Sequence, residues 1–315
     1  MTDPTRILVT GGAGFIGSHV VDALIERGNV VGIVDSLVTG TLENLNPGAE
    51  FFEVDIGDAE ALGRVFASFK PQVVDHHAAQ ISVALSSRDP AADALTNVVG
   101  SLQVLEASRA AGVEHLVFAS TGGALYGDPE VVPAGEATPI APLSPYGAAK
   151  ASVETYLRMY HDTHGFSYTA LRYANVFGPR QTPEGEAGVV AIFTNRMLKG
   201  ETPVIFGDGD QQRDFVYVGD VGQANVEAIE RRLQGAYNVG TGVASSVNEV
   251  TRELTQACGF EGIVEYAEER PGEVRRVTLD AAKLTRETGW QWQVGLAEGL
   301  ALTVAHQKAR TNRPG

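Results

Sequence analysis

Between a short apolar run and a helix-like segment the chain places VTGGAGFIGSHV, residues 9–20, and no other stretch limits its fold so strongly. Gly12, Gly14 and Gly17 satisfy G-x-G-x-x-G, and Gly11, Gly14 and Gly17 give a second spacing. Glycines there let a backbone turn sharply and approach a pyrophosphate, which sits on the free N–H groups of the helix start, here Phe15 and Ile16. A tight turn without a ligand has similar glycines, so the surroundings decide. The next apolar run, VVGIVD (30–35), ends in Asp35, 18 residues beyond Gly17. A carboxylate at that point hydrogen-bonds the ribose of an adenosine and repels a 2′-phosphate, which favours NAD over NADP. The run after it leads into Asp55 and Ile56, where an adenine contact is expected. Strand, glycine loop, helix and acidic residue together predict a dinucleotide site.

The alternation continues through the first half. RILVTGG (6–12), VVGIVD (30–35), EFFEVD (50–55), QVVDHHAA (72–79) and HLVFAST (115–121) read as strands, and SYTALRYANVFG (167–178) as one more. Segments of helical period lie at about 15–28, 58–69, 89–111 and 145–164. Apolar strands covered on both faces by helices predict an α/β fold, a Rossmann-type doubly wound parallel sheet. After residue 179 the texture changes to Gly- and Pro-rich loop, a helix near 188–199, a short strand PVIF (203–206) and mixed short elements. We therefore expect a first domain over 1–178 and a smaller mixed α/β substrate domain over 179–315, with some segments returning to the first. The smaller part is expected to cap the carboxyl edge of the sheet, where ligands of open α/β folds bind.

Composition excludes several function classes. Net charge is −15, which argues against nucleic acid, a partner that needs a basic face. An anionic small molecule remains open where a few arginines converge. No apolar run approaches the roughly 18 residues of a membrane span. Cys258 is the only cysteine, so no disulfide can form within the chain, and the reading is cytoplasmic. His76 and His77 invite a metal, but neighbours on a strand point to opposite faces, so they are read as structural and no metal is expected.

SPYGAAK (144–150) sets Tyr146 and Lys150 at i, i+4, on one helix face. A packed ring and a lysine reaching to solvent would look the same. Position tilts the balance: the pair lies downstream of the dinucleotide site, and the preceding strand ends in Ser120 and Thr121. Free tyrosine titrates near ~10, and bringing it to about 7 takes roughly 4 kcal/mol. A nearby ammonium and a cationic nicotinamide both favour the phenolate.

These residues resemble the extended short-chain dehydrogenase/reductase family. DSLVTGTLENL (35–45), HHAAQISV (76–83), NVVGSLQVLEA (97–107), FASTGGALYG (118–127), LRYANVFGPRQ (171–181), GDGDQQRDFVYVGD (207–220), YNVGTG (237–242) and RPGEVRRVTLD (270–280) resemble its NAD-dependent nucleotide-sugar epimerase/dehydratase branch, UDP-glucose 4-epimerases first. The resemblance implies an isomerase that oxidises a UDP-sugar at C4, UDP-glucose or UDP-galactose, and reduces it on the opposite face. It makes Tyr146 the general base, gives Lys150 the nicotinamide ribose, and leaves the sugar 4-hydroxyl to Thr121 or Ser120. Ala78, Ala79, Asn97 and Tyr173 are then cofactor contacts. Asn97 would support the active-site helix, unless it is a helix N-cap. Gln80, Ser82, Asn175, Val189, Phe206, Arg213 and Arg270 are then substrate contacts, the two arginines clamping the UDP pyrophosphate. Related 4,6-dehydratases carry Asp-Glu after the catalytic Thr, where this chain has Gly122 and Gly123. With no second acid there, the chemistry should stop at carbon 4. Val277, small where some members are bulky, would leave room for a 2-acetamido group. UDP-N-acetylglucosamine, UDP-glucuronate and UDP-pentose therefore stay open, as does a dinucleotide-binding regulator without catalysis. A homodimer through the helices at about 89–111 and 145–164 is also implied.

Overall fold

The computed structural model describes residues 4–182, 188–269 and 274–311. Its first half runs β1 (Arg6–Thr10), α1 (Phe15–Glu26), β2 (Val30–Asp35), β3 (Glu50–Glu53), α2 (Ala59–Phe69), β4 (Val73–His76), α3 (Val83–Arg88), α4 (Pro90–Ala94), a π-helical turn (Leu95–Val99), α5 (Gly100–Ala110), β5 (His115–Thr121), the short α6 (Gly122–Leu125), α7 (Pro145–His164) and β6 (Tyr168–Tyr173). The second half runs β7 (Asn175–Phe177), α8 (Val189–Leu198), β8 (Val204–Phe206), β9 (Gln212–Tyr217), α9 (Val218–Arg231), β10 (Gly235–Val239), β11 (Ala244–Ser246), α10 (Val247–Cys258), β12 (Glu265–Ala267), β13 (Arg276–Val277), α11 (Ala282–Thr288) and α12 (Leu296–Thr311).

Seven parallel strands form the main sheet in the order β10-β6-β5-β4-β1-β2-β3. The period-2 alternation sorts their side chains. Ile7, Val9 and Ile33 face one apolar layer with α1 and α9, while Leu8, Val34, Val74 and Phe118 face another with α2, α5 and α7. Each fully buried Val, Leu or Phe contributes about 1.5–3 kcal/mol, so the two layers hold the sheet from both sides. Strand order reverses at β1, between β2 and β4, and the loops after β1 and β4 meet over a crevice. This is the doubly wound sheet expected from the sequence.

SYTALRYANVFG is not one strand. Tyr168–Tyr173 pairs with β5, and after Ala174 the chain crosses to pair Asn175–Phe177 with β9. A four-stranded sheet results, β11-β9-β13 with β7 beside β9, and β8 pairs with β12 apart from it. A third apolar cluster, including Phe177, Phe193, Phe215, Leu254 and Leu300, fills this smaller part. In the other direction, β10 and α9 join the first layers from beyond residue 179.

Caps set the helix that matters most. Ser144 accepts from Gly147 N at 3.1 Å, Pro145 occupies the first turn, and Gly165 ends α7 in the left-handed region.

Candidate active site

The carboxyl ends of the main-sheet strands share one edge, and the site is built there. Gly11 turns out of β1 at φ +72°, with Ala78 N 2.6 Å from where a Cβ would stand. A Cβ on Gly17 would overlap Gly11 O, so the loop and α1 touch backbone to backbone. Gly14 is the N-cap of α1 and no side chain caps it, which leaves the N–H groups of Phe15, Ile16 and Gly17 for a ligand. Asp35, at the end of β2, accepts from Ala13 N at 3.0 Å and Leu37 N at 2.8 Å through different oxygens. A carboxylate has about four acceptor sites, so capacity remains for a ribose. Glycines that only fit without side chains, an uncapped helix start and this carboxylate fit a dinucleotide. Asp55 is exposed at the rim, and Ile56 turns inward to pack on Gly100 of α5. Ala78 and Ala79 line the loop after β4, held by Ala78 N to Thr10 Oγ1 at 3.2 Å.

Tyr146 and Lys150 stand on one face of α7 at the end of β5. Lys150 is buried, its Nζ 2.8 Å from Ala119 O, 4.7 Å from the Phe118 ring and 5.9 Å from the Tyr146 ring. Burial pushes Lys150 down to about 8, opposed by Asp93 and Glu154. Tyr146 moves the other way from the sequence expectation: burial, then the charge of Asp93, push its phenol above the ordinary value.

The two hydroxyls that end β5 part company. Ser120 is 3% exposed and donates to Glu154 Oε1 at 2.6 Å, behind the sheet edge. Thr121 is half-buried, caps Ala124 N at 3.2 Å and opens the α6 turn. Of the pair, Thr121 is the more exposed, with Gly123 and Asn175 beside it: a Cβ on Gly123 would lie 3.5 Å from Asn175 Oδ1 and 3.9 Å from Thr121 Oγ1.

Other expected contacts have work inside the protein. Gln80 donates to Asp93 Oδ1 at 2.7 Å and Ser82 O at 2.9 Å, and Ser82 caps α3 at Leu85 N. Both side chains hold the loop that walls the cleft. Asn97 is no N-cap. It sits in the π-helical turn, accepts from Gln80 N and donates to Gln80 O, each at 2.8 Å. The Tyr173 hydroxyl donates to Asn225 at 2.8 Å within the core, and its ring stacks on His77 at 6.2 Å. His76 bridges Thr10 and Ser101 at 2.6 and 2.9 Å. Val189 and Phe206 are partly buried in the smaller part, where Val189 packs on the third cluster. Arg213 lies on β9 beside Val277, which is 3% exposed and packed with Tyr126, Ala134 and Leu279. Arg270 lies outside the described residues.

Sequence reading missed two groups at the site. Asp93 is 1% exposed, its Oδ1 shared by Gln80 and Asn97 and its Oδ2 without a partner, and it bears electrostatically on both Tyr146 and Lys150. Its i, i+4 spacing to Asn97 was a usable signal. Glu154, i+4 from Lys150, was the other.

Comparison with known proteins agrees with this geometry. The model of the NAD dependent epimerase/dehydratase family matches residues 7–240. A putative UDP-glucose 4-epimerase of Methanocaldococcus jannaschii is 47% identical over 96% of this chain and 98% of its own. The crystal structure of UDP-glucose 4-epimerase with UDP-glucose from Thermotoga maritima superposes with a TM-score of 0.94 at 50% identity, covering 98% of this chain and 100% of the other. That of Thermus thermophilus UDP-glucose 4-epimerase in complex with NAD gives 0.92 at 48%, covering 96% and 99%. A chain with this sheet, this glycine cradle and these relatives over nearly its whole length belongs to the NAD dependent epimerase/dehydratase family.

Proposed function

We propose that the protein is an NAD-dependent UDP-sugar 4-epimerase that interconverts UDP-glucose and UDP-galactose. One observation carries the reading: Tyr146 and Lys150 share one face of α7, Lys150 Nζ reaches the Ala119 carbonyl of the strand that ends in Thr121, and the next two residues, Gly122 and Gly123, offer no further acid. One proton-transfer group suits a reaction confined to carbon 4, and the relatives named above support UDP-glucose as the sugar nucleotide.

Gly11, Gly14, Phe15, Ile16, Gly17 and Asp35 would hold NAD, with Asp55, Ile56, Ala78, Ala79, Asn97 and Tyr173 around it. When bound, NAD supplies reversible oxidation at C4 and, as the oxidised form, a positive charge in the site. Tyr146 takes the proton of the 4-hydroxyl, holds it while C4 is a ketone, and returns it. Lys150 keeps an ammonium in the same pocket, which favours the phenolate. Thr121 hydrogen-bonds the sugar oxygen, and Asn175 borders the same corner. Arg213 and Arg270 would meet the pyrophosphate of UDP, and Val189 and Phe206 would border its base.

Leu95 and Val99, in the turn before α5, and Tyr156 and Met159 on α7 are exposed apolar side chains on the two segments that would pair in a homodimer. The cytoplasm is the compartment we assign, in keeping with the single cysteine.

The test is turnover of UDP-galactose with the products resolved by NMR. Conversion to UDP-glucose without net NADH is expected. Tyr146→Phe should fold with an unchanged Tm and lose about 10²–10⁴ in kcat. An undiminished rate in that variant sinks the assignment, and faster turnover of UDP-N-acetylglucosamine would transfer it to that sugar.

A further inference from the structure

A buried ion pair lies directly behind the Thr121 corner. Glu154, one turn beyond Lys150 on α7, accepts from Arg172 of β6 at 2.6 Å through Nη2 and at 3.0 and 3.2 Å through Nε. Their side chains are 9% and 6% exposed. The same carboxylate accepts the Ser120 hydroxyl at 2.6 Å. On the other side, Arg172 Nη1 donates to the Tyr126 hydroxyl at 2.8 Å, and that hydroxyl donates on to Asn238 Oδ1 of β10 at 2.7 Å.

Ser120 and Tyr126 are the two ends of the corner. Between them run Thr121, Gly122, Gly123, Ala124 and Leu125. The glycines have no side chains to anchor the turn, and the Thr121 cap on Ala124 N is a side-chain tie within it. Both ends are instead tied to the same ion pair, Ser120 through the carboxylate and Tyr126 through the guanidinium. The carboxylate belongs to the helix that carries Tyr146 and Lys150, and all three lie along one face at i, i+4 and i+8. Helix and corner meet twice more. Lys150 Nζ donates to Ala119 O, and Gly147 lets α7 approach until a Cβ would stand 2.6 Å from Ala124 O.

Stability is a poor reason for such a pair. Desolvation offsets most of the Coulomb attraction, and well-packed apolar replacements are often neutral. Geometry is the better reason. We propose that Glu154 and Arg172 are positioning residues, one buried ion pair that holds both ends of the Thr121–Gly123 corner in register with Tyr146. The proposal rests on the reading of Tyr146 and Thr121 as the groups at the sugar 4-hydroxyl. A displacement of ~1 Å between reacting groups costs on the order of 10²-fold in rate.

The pair is tested by replacing it whole, Glu154→Leu with Arg172→Met, which leaves no charge unpaired. Tyr126→Phe releases only the far end and keeps the pair. For each variant, four quantities are measured on the full chain: Tm, KM and kcat for UDP-galactose, and hydrogen exchange in residues 119–127. The double variant should keep its fold and hold KM within about threefold, because the substrate contacts are intact. Its kcat should fall ~tenfold or more, about 1.4 kcal/mol in the barrier, and 119–127 should exchange faster. Tyr126→Phe should show a smaller loss in the same direction, and it decides alone if the double variant does not fold. Unchanged exchange in 119–127, or faster exchange with unchanged kcat, overturns the proposal. If the wild-type chain does not turn over UDP-galactose, the proposed function fails, and the exchange measurement still decides whether the ion pair holds the corner.

Discussion

Gly11→Ala is the sharpest test of how the cofactor crevice is built. A Cβ at this position would stand 2.6 Å from Ala78 N and 2.9 Å from Ala78 Cα and His77 C. All three are backbone atoms of the loop after β4, so no side-chain rotation relieves the contact. Relief requires β1 and β4 to splay at the point where strand order reverses. The φ of +72° adds its own cost, about 1–2 kcal/mol for a residue with a Cβ. Forcing the extra carbon into packed backbone costs about 1–3 kcal/mol. The sum, ~2–5 kcal/mol, corresponds to a fall in Tm of about 4–10 °C at roughly 2 °C per kcal/mol for a chain of this size. Gly112→Ala is the control. Its φ is also +72° and nothing lies within 4 Å of its Cβ position, so it carries the conformational part alone. Both variants are melted by differential scanning fluorimetry with and without NAD. Gly11→Ala should melt several degrees below Gly112→Ala, and its NAD-induced rise should shrink, because splaying moves the glycine loop away from Ala78 and Ala79. Equal melting temperatures with an undiminished NAD effect would refute the wedge.

Two further outcomes follow from buried charge. His19, His76 and His115 are pushed down to about 4, 3 and 4 by burial above all. The unfolded chain therefore takes up protons first as pH falls below about 6.5, so their stabilisation is complete above that value and is lost toward the folded values. The loss is about 1.4 kcal/mol per pH unit for each histidine, and urea midpoints that stay level from pH 7 to 5.5 would contradict it. Asp93→Asn removes a charge that raises Lys150 and Tyr146 alike. Both limbs of the pH–kcat profile should move to lower pH, and an alkaline limb that stays put or rises would show that Asp93 does not act on Lys150.

Much of the sheet was legible because each strand is an apolar run whose neighbours are local in sequence. β1 to β5 fall where their runs predicted, and the glycine loop announced the crevice through residues that make contact within one turn. The break at Ala174 was not legible, because LRYANVF is uniformly strand-like. Only the register of Arg172 and Tyr173 on Ser120 and Thr121, and of Asn175 on Phe215, shows where the chain changes sheets. The site divides the same way. Tyr146, Lys150 and Thr121 announce themselves by type and spacing. The direction of the Tyr146 shift did not, since it depends on burial and on Asp93, more than fifty positions away. Ser120 and Thr121 are adjacent hydroxyls in the sequence, and only the buried Glu154 tells them apart.

The roof over the corner shows why local reading stops there. A Cβ on Gly122 would overlap Leu279, so Gly122 is small for packing, independently of which acid a relative carries at that point. Leu279 is held in turn by Asp214, a buried carboxylate of β9 that accepts from Leu279 N at 3.1 Å, Gly242 N at 3.0 Å, and Thr241 N and Oγ1 at 2.9 and 2.6 Å. Gly240 must also be small, since a Cβ there would lie 2.6 Å from Asp214 Oδ2 and 3.0 Å from Leu279 Cβ. One carboxylate thus ties the end of β10 and the segment after β13 to the second sheet, directly above the turn that carries Thr121. The floor of the corner is set by Glu154 and Arg172, and its roof by Asp214 and Leu279. Gly122 and Gly123 then differ in kind. A side chain at 122 would meet Leu279 and disturb the roof, whereas one at 123 would project toward Asn175 and Thr121 in the cleft, where it changes the chemistry available to the sugar.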